Sequence, residues 1–410
     1  MKIAIYHNLL SGGAKRALNE YAQRLCKNHQ LDIFNLTSSN HDFADIRPYA
    51  NQYHEYPFTR GNLFNSPFGR LNQVVRMLDL VRIEKVNRQI AQDIDAGGYD
   101  LAFIHPCQVE NCPSVVYFLK KTPSVYYCPE SLRTLYEVMP ARPYDGRESS
   151  GRQVLNRVDP LPGLFHRAQK QRDARNLRAA DRILVNSEFT RQSVNKIYQV
   201  EAKVSRLGVD DRLFRKIVYE KQPFVLSVGS LTPLKGFDFV IRALAQLPPE
   251  RRLPLRIVSN FQNPPERDYL TGLANSLDVD LTLLDGISDE MLVRLYNQAT
   301  LVLYAPIREP FGFVAIEAMA CGTPVVAVRE GGVCETVIDS KVGLLTDRRE
   351  EDFAQAILTL LDHPDRLQEY GQNARTYVKE QWTWDRAVEI LENHLQETLK
   401  ANNPTPPASH

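Results

Sequence analysis

The stretch EPFGFVAIEAMACGTPVV, Glu309 to Val326, carries two glutamates eight positions apart. Glu309 precedes a Phe-Gly pair, and Glu317 sits in a run of Val, Ala, Ile and Met. A carboxylate among apolar side chains is costly unless something pairs with it. The spacing predicts a helix from about Gly312 to Gly322, stopped by Pro324. On one continuous helix, eight positions rotate a side chain by about 80°. The Phe311-Gly312 turn ahead of the helix lifts that restriction and lets both carboxylates enter one cleft. Carboxylates accept paired hydrogen bonds from vicinal hydroxyls, such as those of sugars and ribose. The bland alternative is a partnered core glutamate at 317 and a loop charge at 309.

Working outward, TLVLYAP before the stretch and TPVVAV at its end read as buried strands. Upstream, FVLSVGSL, PLRIVSN and, downstream, VGLLT are further strands, with GFDFVIRALAQL and DEMLVRLYNQA as helices between them. The amino-terminal half repeats the alternation in KIAIYHN, LDIFNLT, DLAFIHP, SVYYCPE and RILVNSEFTRQSVNKIY, with SGGAKRALNEYAQRLCKN as its first turn and helix. Strand-helix alternation means parallel sheets covered by helices. At 410 residues the chain exceeds one ordinary core. The expectation is an α/β protein of two Rossmann-like domains facing each other across a cleft, residues 1–212 and 213–383. The segment LGVDDRLFRKIVYEKQP links them, a terminal helix at 384–400 packs back on the first domain, and 401–410 form a disordered tail. Ligands of such sheets bind at the carboxyl ends of the strands, so the loops there are the ones to read.

Composition excludes several classes. Net charge is +1, which argues against a dedicated nucleic-acid binder. The six cysteines form no CxxC pair and no zinc spacing, as expected of reduced thiols in the cytoplasm. No apolar run approaches the ~20 residues of a membrane span, and MKIAIYHN reads as a first strand rather than a leader. Residues 141–178 hold nine Lys/Arg against four Asp/Glu. Together with Arg76, Arg82, Lys85 and Arg88 they are either a solvated face or a basic surface for an anionic acceptor or for the inner face of a membrane.

Four loops carry candidate chemistry. VGSLTPLKG runs from a strand through Ser230 to Lys235 and Gly236 at a helix start, where a cation and a helix N-terminus suit phosphate. It lacks the ending of a Walker A loop. Gly12 and Gly13 lie between the first strand and helix, where glycine admits close approach of a ligand; no GxGxxG follows, which leaves NAD without support. His105 ends a strand and is placed to donate to a phosphate or a sugar hydroxyl. The fourth loop is the Glu309 stretch itself. The acidic triplets Asp93–Asp95 and Asp278–Asp280 fall at a helix end and in a loop, and read as solvated polar residues.

Taken in order, these pieces resemble the GT-B glycosyltransferases, specifically the retaining family 4. The likeness is strongest from about Phe224 to Trp384, where VGSLTPLKG, EPFGFVAIEAMACGTPVVAVREGGVCE and VGLLT recur in family order; VNSEFTRQSV and LGVDDRLF match its interdomain region. Glu309 and Glu317 match the family's E-x7-E signature. The resemblance implies that Glu309 contacts the donor sugar and Glu317 the ribose. It implies that the backbone at Phe311, Gly312 and Phe313 meets the sugar and diphosphate, that Lys235 neutralises the diphosphate, and that Gly12 and Gly13 let the first helix approach it. His105 matches the histidine at the sugar end of the cleft. Two departures stand out. The family often has arginine where Ser230 stands, which leaves one leaving-group cation missing unless Arg16, Arg308 or another residue replaces it. SNFQNPPERD replaces a glycine-rich turn.

The implied activity is retaining transfer of a glycosyl group from a nucleoside-diphosphate sugar to a glycan, lipid-linked or small-molecule acceptor, in polysaccharide or glycoconjugate synthesis. No metal and no other cofactor is expected. A sugar-nucleotide epimerase or hydrolase on the same fold, and a catalytically silent sugar-nucleotide-binding subunit, are the competing readings.

Overall fold

The computed structural model describes residues 1–65, 71–144, 159–261 and 263–402. Two parallel sheets organise them. The first contains β1 (Lys2–Asn8), β2 (Gln30–Leu36), β3 (Gln52–Tyr56), β4 (Leu101–Cys107), β5 (Ser124–Cys128), β6 (Arg182–Val185) and β7 (Lys203–Val204). The second contains β8 (Val225–Val228), β9 (Leu255–Ser259), β10 (Leu281–Asp285), β11 (Leu301–Tyr304), β12 (Val325–Val328) and β13 (Gly343–Thr346).

The strand orders are β3-β2-β1-β4-β5-β6-β7 and β10-β9-β8-β11-β12-β13. Each sheet therefore reverses direction once, between β1 and β4 in the first and between β8 and β11 in the second. In an open parallel sheet the loops leaving the two strands at that reversal diverge to opposite faces and leave a crevice. Gly12-Gly13 follows β1, and His105 lies near the end of β4. Ser230 to Gly236 follow β8, and Glu309 to Phe313 follow β11. All four loops singled out in the sequence thus flank a reversal point.

The central strands are covered on both faces, which explains their unbroken apolar runs. Ile3, Ile5, Leu101, Phe103, Val225, Leu226, Leu301 and Val302 are all completely buried. Register pairs Ile3 with Leu101 and Leu301 with Val225. Burial of each such side chain stabilises by about 1.5–3 kcal/mol before its entropy cost.

The chain crosses between the sheets twice, side by side. The Val209 amide donates to the Trp382 carbonyl at 2.8 Å, and a Cβ on Gly208 would lie 2.5 Å from Thr383 backbone. The segment read as a linker is therefore packed, with Val209 and Phe214 buried. Helix Trp384–Asn402 then lies on helix Gly13–Leu25. Trp384 meets the Tyr21 ring edge-on at 5.4 Å, and Arg24 Nε donates to Asp385 at 3.0 Å. This helix includes Ala401 and Asn402; residues 403–410 of the expected disordered tail lie outside the described residues.

Further contacts join the two halves. Glu335 of the second unit accepts from the amides of Glu188 and Phe189, at 2.9 Å each, capping helix Glu188–Tyr198 of the first. Ser187 Oγ donates to the Pro310 carbonyl at 2.5 Å. Arg142 reaches across to Asp238 and Glu266 at 2.9 and 3.0 Å.

Gly236 marks where the β8 loop turns into helix Phe237–Ala245. Its φ is 65°, and a Cβ there would lie 2.1 Å from the Ala305 carbonyl oxygen. Gly236→Ala should lower stability by about 1–3 kcal/mol, read as a shifted urea midpoint with unchanged slope. An unchanged midpoint would show that the β8 and β11 loops are not packed this tightly.

Candidate active site

Lys235 closes a short 3-10 turn, Pro233–Lys235, after β8. Its stem lies over Gly229, where a Cβ would come within 3.1 Å of Lys235 Cδ. A glycine at 229 therefore lets the lysine lie flat and aim its ammonium across to the next strand's loop. There Nζ donates to both oxygens of Glu309, at 2.8 and 2.6 Å. The cation and the anion predicted from separate loops are thus an ion pair, with about a fifth and a quarter of their side chains exposed (21% and 27%).

The Glu309 loop is held from behind by Gly331-Gly332. A Cβ on Gly331 would lie 2.3 Å from the Glu309 carbonyl oxygen, and the Gly332 amide donates to that oxygen at 2.8 Å. Gly312 adopts φ 101° and caps helix Phe313–Ala320, whose first amides receive no side-chain cap. Under this turn the Tyr304 hydroxyl is buried with no partner among the described residues, 3.4 Å from where a Gly312 Cβ would sit.

The opposite wall comes from the first sheet. Gly13 opens helix Gly13–Leu25, and a Cβ there would be 3.2 Å from the Phe313 ring, so glycine permits the two domains to meet at this point. Gly12 has φ 150° with open space around it and does not line the cavity. His105 is buried, stacked on Tyr127 with ring centroids 5.5 Å apart. Neither of its ring nitrogens has a protein partner among the described residues. Burial lowers its pKa to about 3, so the ring is neutral and offers one donor and one acceptor.

Together these groups enclose about 300 Å³, with Ser230, Phe311, Gly312 and Phe313 also in the lining. A larger hollow of about 600 Å³ lies by Thr122, Pro123 and Ser124, at the amino ends of the strands, the wrong edge of a parallel sheet for a ligand.

Glu317 is placed differently from the expectation of a single cleft. It lines an adjoining cavity of about 390 Å³ with Arg16 and Asp289, and Phe313 belongs to both cavities. Only 5% exposed, it accepts from Tyr296 Oη at 2.9 Å and from Arg16 Nη1 at 3.2 Å. The partner that the apolar run demanded is thus a tyrosine and an arginine from the other domain. Burial raises the pKa of Glu317, with Arg16 pulling it back.

Arg16 is therefore committed to Glu317 and, at 3.5 Å, Asp289. Arg308 points elsewhere, 3.8 Å from Glu137 and over the Phe189 ring. Neither joins Lys235. Two residues that sequence reading passed over, Glu130 and Arg133, do line the Lys235 cavity. Their signal was positional: CPESLR leaves the carboxyl end of β5, beside the reversal point. The basic stretch is partly spent internally. Arg172 and Arg175 pair with Glu84, and Arg178 donates to the Tyr198 carbonyl at 2.9 Å. Its residues 145–158 lie outside the described residues. No described helix is long and apolar enough to cross a membrane.

This fold and cleft define a GT-B protein. The chain aligns over 98% of its length with the solved sucrose-phosphate synthase of Thermosynechococcus elongatus, covering 99% of it at a TM-score of 0.73 and 21% identity. It also aligns over 98% of its length with Anabaena HepE, solved in complex with UDP-glucose, covering all of that chain (100%) at a TM-score of 0.68 and 20% identity. Residues 210–377, which include the second sheet, match the family of glycosyl transferases group 1. A D-inositol 3-phosphate glycosyltransferase of Rhodococcus jostii is 34% identical over 210 residues, 48% of this chain and 44% of the relative. The chain spans about half the length of the curated relatives it matches.

Glu317→Gln keeps both contacts if the Tyr296 hydroxyl rotates to accept from the amide, and Arg16 retains Asp289. A raised carboxyl pKa in the fold means that ionised Glu317 costs stability above that pKa and that protonation relieves the cost below it. The variant should therefore melt no lower than wild type, with its advantage widest at alkaline pH and closing as pH falls. A variant that melts lower at pH 8 would show that the Arg16 charge outweighs burial.

Proposed function

We propose that the protein is a retaining glycosyltransferase that moves a glycosyl group from a nucleoside-diphosphate sugar to an acceptor hydroxyl. The observation that carries this reading is the Lys235–Glu309 pair facing the unpartnered His105 across the interdomain cleft. The HepE structures with UDP and UDP-glucose support the donor class, and the glycosyltransferase names of the curated relatives support the reaction class.

In this mechanism the donor diphosphate enters as a dianion and draws Lys235 away from Glu309. The uncapped amides at Gly312 and Phe313 add partial positive charge at a helix N-terminus. These groups count most when the bond from the anomeric carbon to the phosphate oxygen breaks and charge accumulates on the leaving group. The acceptor oxygen bonds to the anomeric carbon from the same face, and the departing phosphate oxygen takes the acceptor proton, so no protein base is required. Glu309, released from Lys235, binds sugar hydroxyls and stabilises the developing oxocarbenium charge. Neutral His105 bonds a hydroxyl or phosphate oxygen at the sugar end. Glu317 holds the ribose hydroxyls, with Arg16 and Tyr296 fixing its position. The leaving-group charge falls to side chains and amides in this scheme, and to no metal ion. The acceptor is a glycan, lipid-linked or small-molecule hydroxyl compound, and the setting is glycoconjugate or polysaccharide synthesis in the cytoplasm.

A donor screen across UDP-, GDP-, ADP- and TDP-sugars, read by nucleoside diphosphate release with an acceptor panel that includes D-inositol 3-phosphate, tests the reading. One pair should show acceptor-dependent release. Epimerised free donor, or binding with no release for any pair, would overturn it. With the productive pair, Lys235→Ala should lower kcat by about 10²–10³-fold; near-wild-type kinetics would remove Lys235 from the mechanism. Glu317→Gln should weaken calorimetric binding of the nucleoside diphosphate roughly 10-fold or more, and unchanged affinity would remove Glu317 from the ribose site.

A further inference from the structure

Among the described residues, a dianionic diphosphate meets only two cationic side chains in the cavity lining, Lys235 and Arg133; His105 is neutral. Lys235 is already balanced by Glu309. Ser230 occupies the second sheet's wall of the cavity without charge. We infer that Arg133 supplies the second positive charge for the donor diphosphate, reaching it from the amino-terminal domain. The inference rests on the donor reading given above.

The geometry of Arg133 suits that task. The residue opens a one-turn helix, Arg133–Tyr136, in the segment that follows β5. Its side chain is only 12% exposed. Nε donates to Glu137 at 2.9 Å and Nη2 to the Ile307 carbonyl at 2.9 Å. These two bonds fix the guanidinium plane, and Nη1 has no acceptor among the described residues. An arginine held this way has already lost most of its rotamer freedom, so capture of an anion costs little further ordering. A planar guanidinium also matches phosphate oxygens better than an ammonium does.

Ile307 lies two residues before Glu309, in the same loop. Arg133 therefore touches the backbone of the very segment whose carboxylate Lys235 must leave. A phosphate bound between Lys235 and Arg133 would tie the two domains together through the ligand, so donor affinity and interdomain closure would share one contact. Glu130 and Glu137 are the anions beside Arg133, and they keep the cavity from holding surplus positive charge before the donor arrives.

The competing role is a plain domain cross-link through Ile307, and a charge-specific readout separates the two. Wild-type protein is titrated calorimetrically with UDP, GDP, ADP and TDP, and the best binder is compared with its uncharged nucleoside. Arg133→Gln keeps N–H donors for Ile307 with the charge removed, and serves alongside Arg133→Ala. Both should weaken nucleoside diphosphate binding by about 10- to 100-fold and leave nucleoside binding within about 2-fold. Ser230→Arg added to Arg133→Gln should recover most of the loss, because it returns a cation to the same cavity. Equal loss for diphosphate and nucleoside, or no loss for either, would overturn the inference and leave the donor reading standing. Failure of wild-type protein to bind any nucleoside diphosphate would overturn both.

Discussion

Lys235 and Glu309 satisfy each other across the mouths of two adjacent strands, and the site depends on that pairing. A cation and an anion facing a cleft are each costly to desolvate alone, and as a pair they make the empty cavity electrically neutral. The pair exists only because β8 and β11 are neighbours at the reversal point of their sheet, which brings residues 74 positions apart within hydrogen-bond distance. Glycines set the fine position. Gly229 gives the lysine room to lie flat, and Gly331 and Gly332 let the backbone press against the Glu309 loop. A ligand that separates the pair must offer an anion to Lys235 and hydroxyls to Glu309, and a glycosyl diphosphate offers both.

The same loop is the seam between the domains. The amino-terminal domain touches it at the Ile307 carbonyl through Arg133 and at the Pro310 carbonyl through Ser187. Glu335, just after the Gly331-Gly332 pair that backs this loop, caps a helix of the other domain by accepting from two of its backbone amides. Glu317 binds Arg16 across the boundary in the neighbouring cavity. The contacts between the domains and the geometry of the site therefore share carbonyls and carboxylates on either side of the Lys235–Glu309 pair. Gly13 against Phe313 is the apolar counterpart of these contacts.

Much of this was legible in the sequence because buried parallel strands are continuous apolar runs. KIAIYHN, DLAFIHP, FVLSVGSL and TLVLYAP declare themselves, and the loops after them contain the candidate residues. Other parts were not legible, for physical reasons. β3, QYHEY, is an edge strand with a polar, half-exposed pattern, so it carries no hydrophobic signal. Arg133 sits on a single helical turn, too short for any period. The partners of Glu317 are separated from it by 301 residues for Arg16 and 21 for Tyr296, and only the tertiary fold shows that the two glutamates serve adjoining cavities. Charge counting alone does not separate internal arginines from surface ones: Arg172 and Arg175 pair with Glu84, and Arg178 donates to the Tyr198 carbonyl.

A crystal structure of the protein with UDP bound tests most directly whether the Lys235–Glu309 pair is a ligand-exchangeable switch. Lys235 Nζ should lie about 3 Å from a phosphate oxygen, with the Glu309 carboxylate released toward the sugar pocket. A diphosphate bound elsewhere in the cleft, with Lys235 still paired to Glu309, would contradict it.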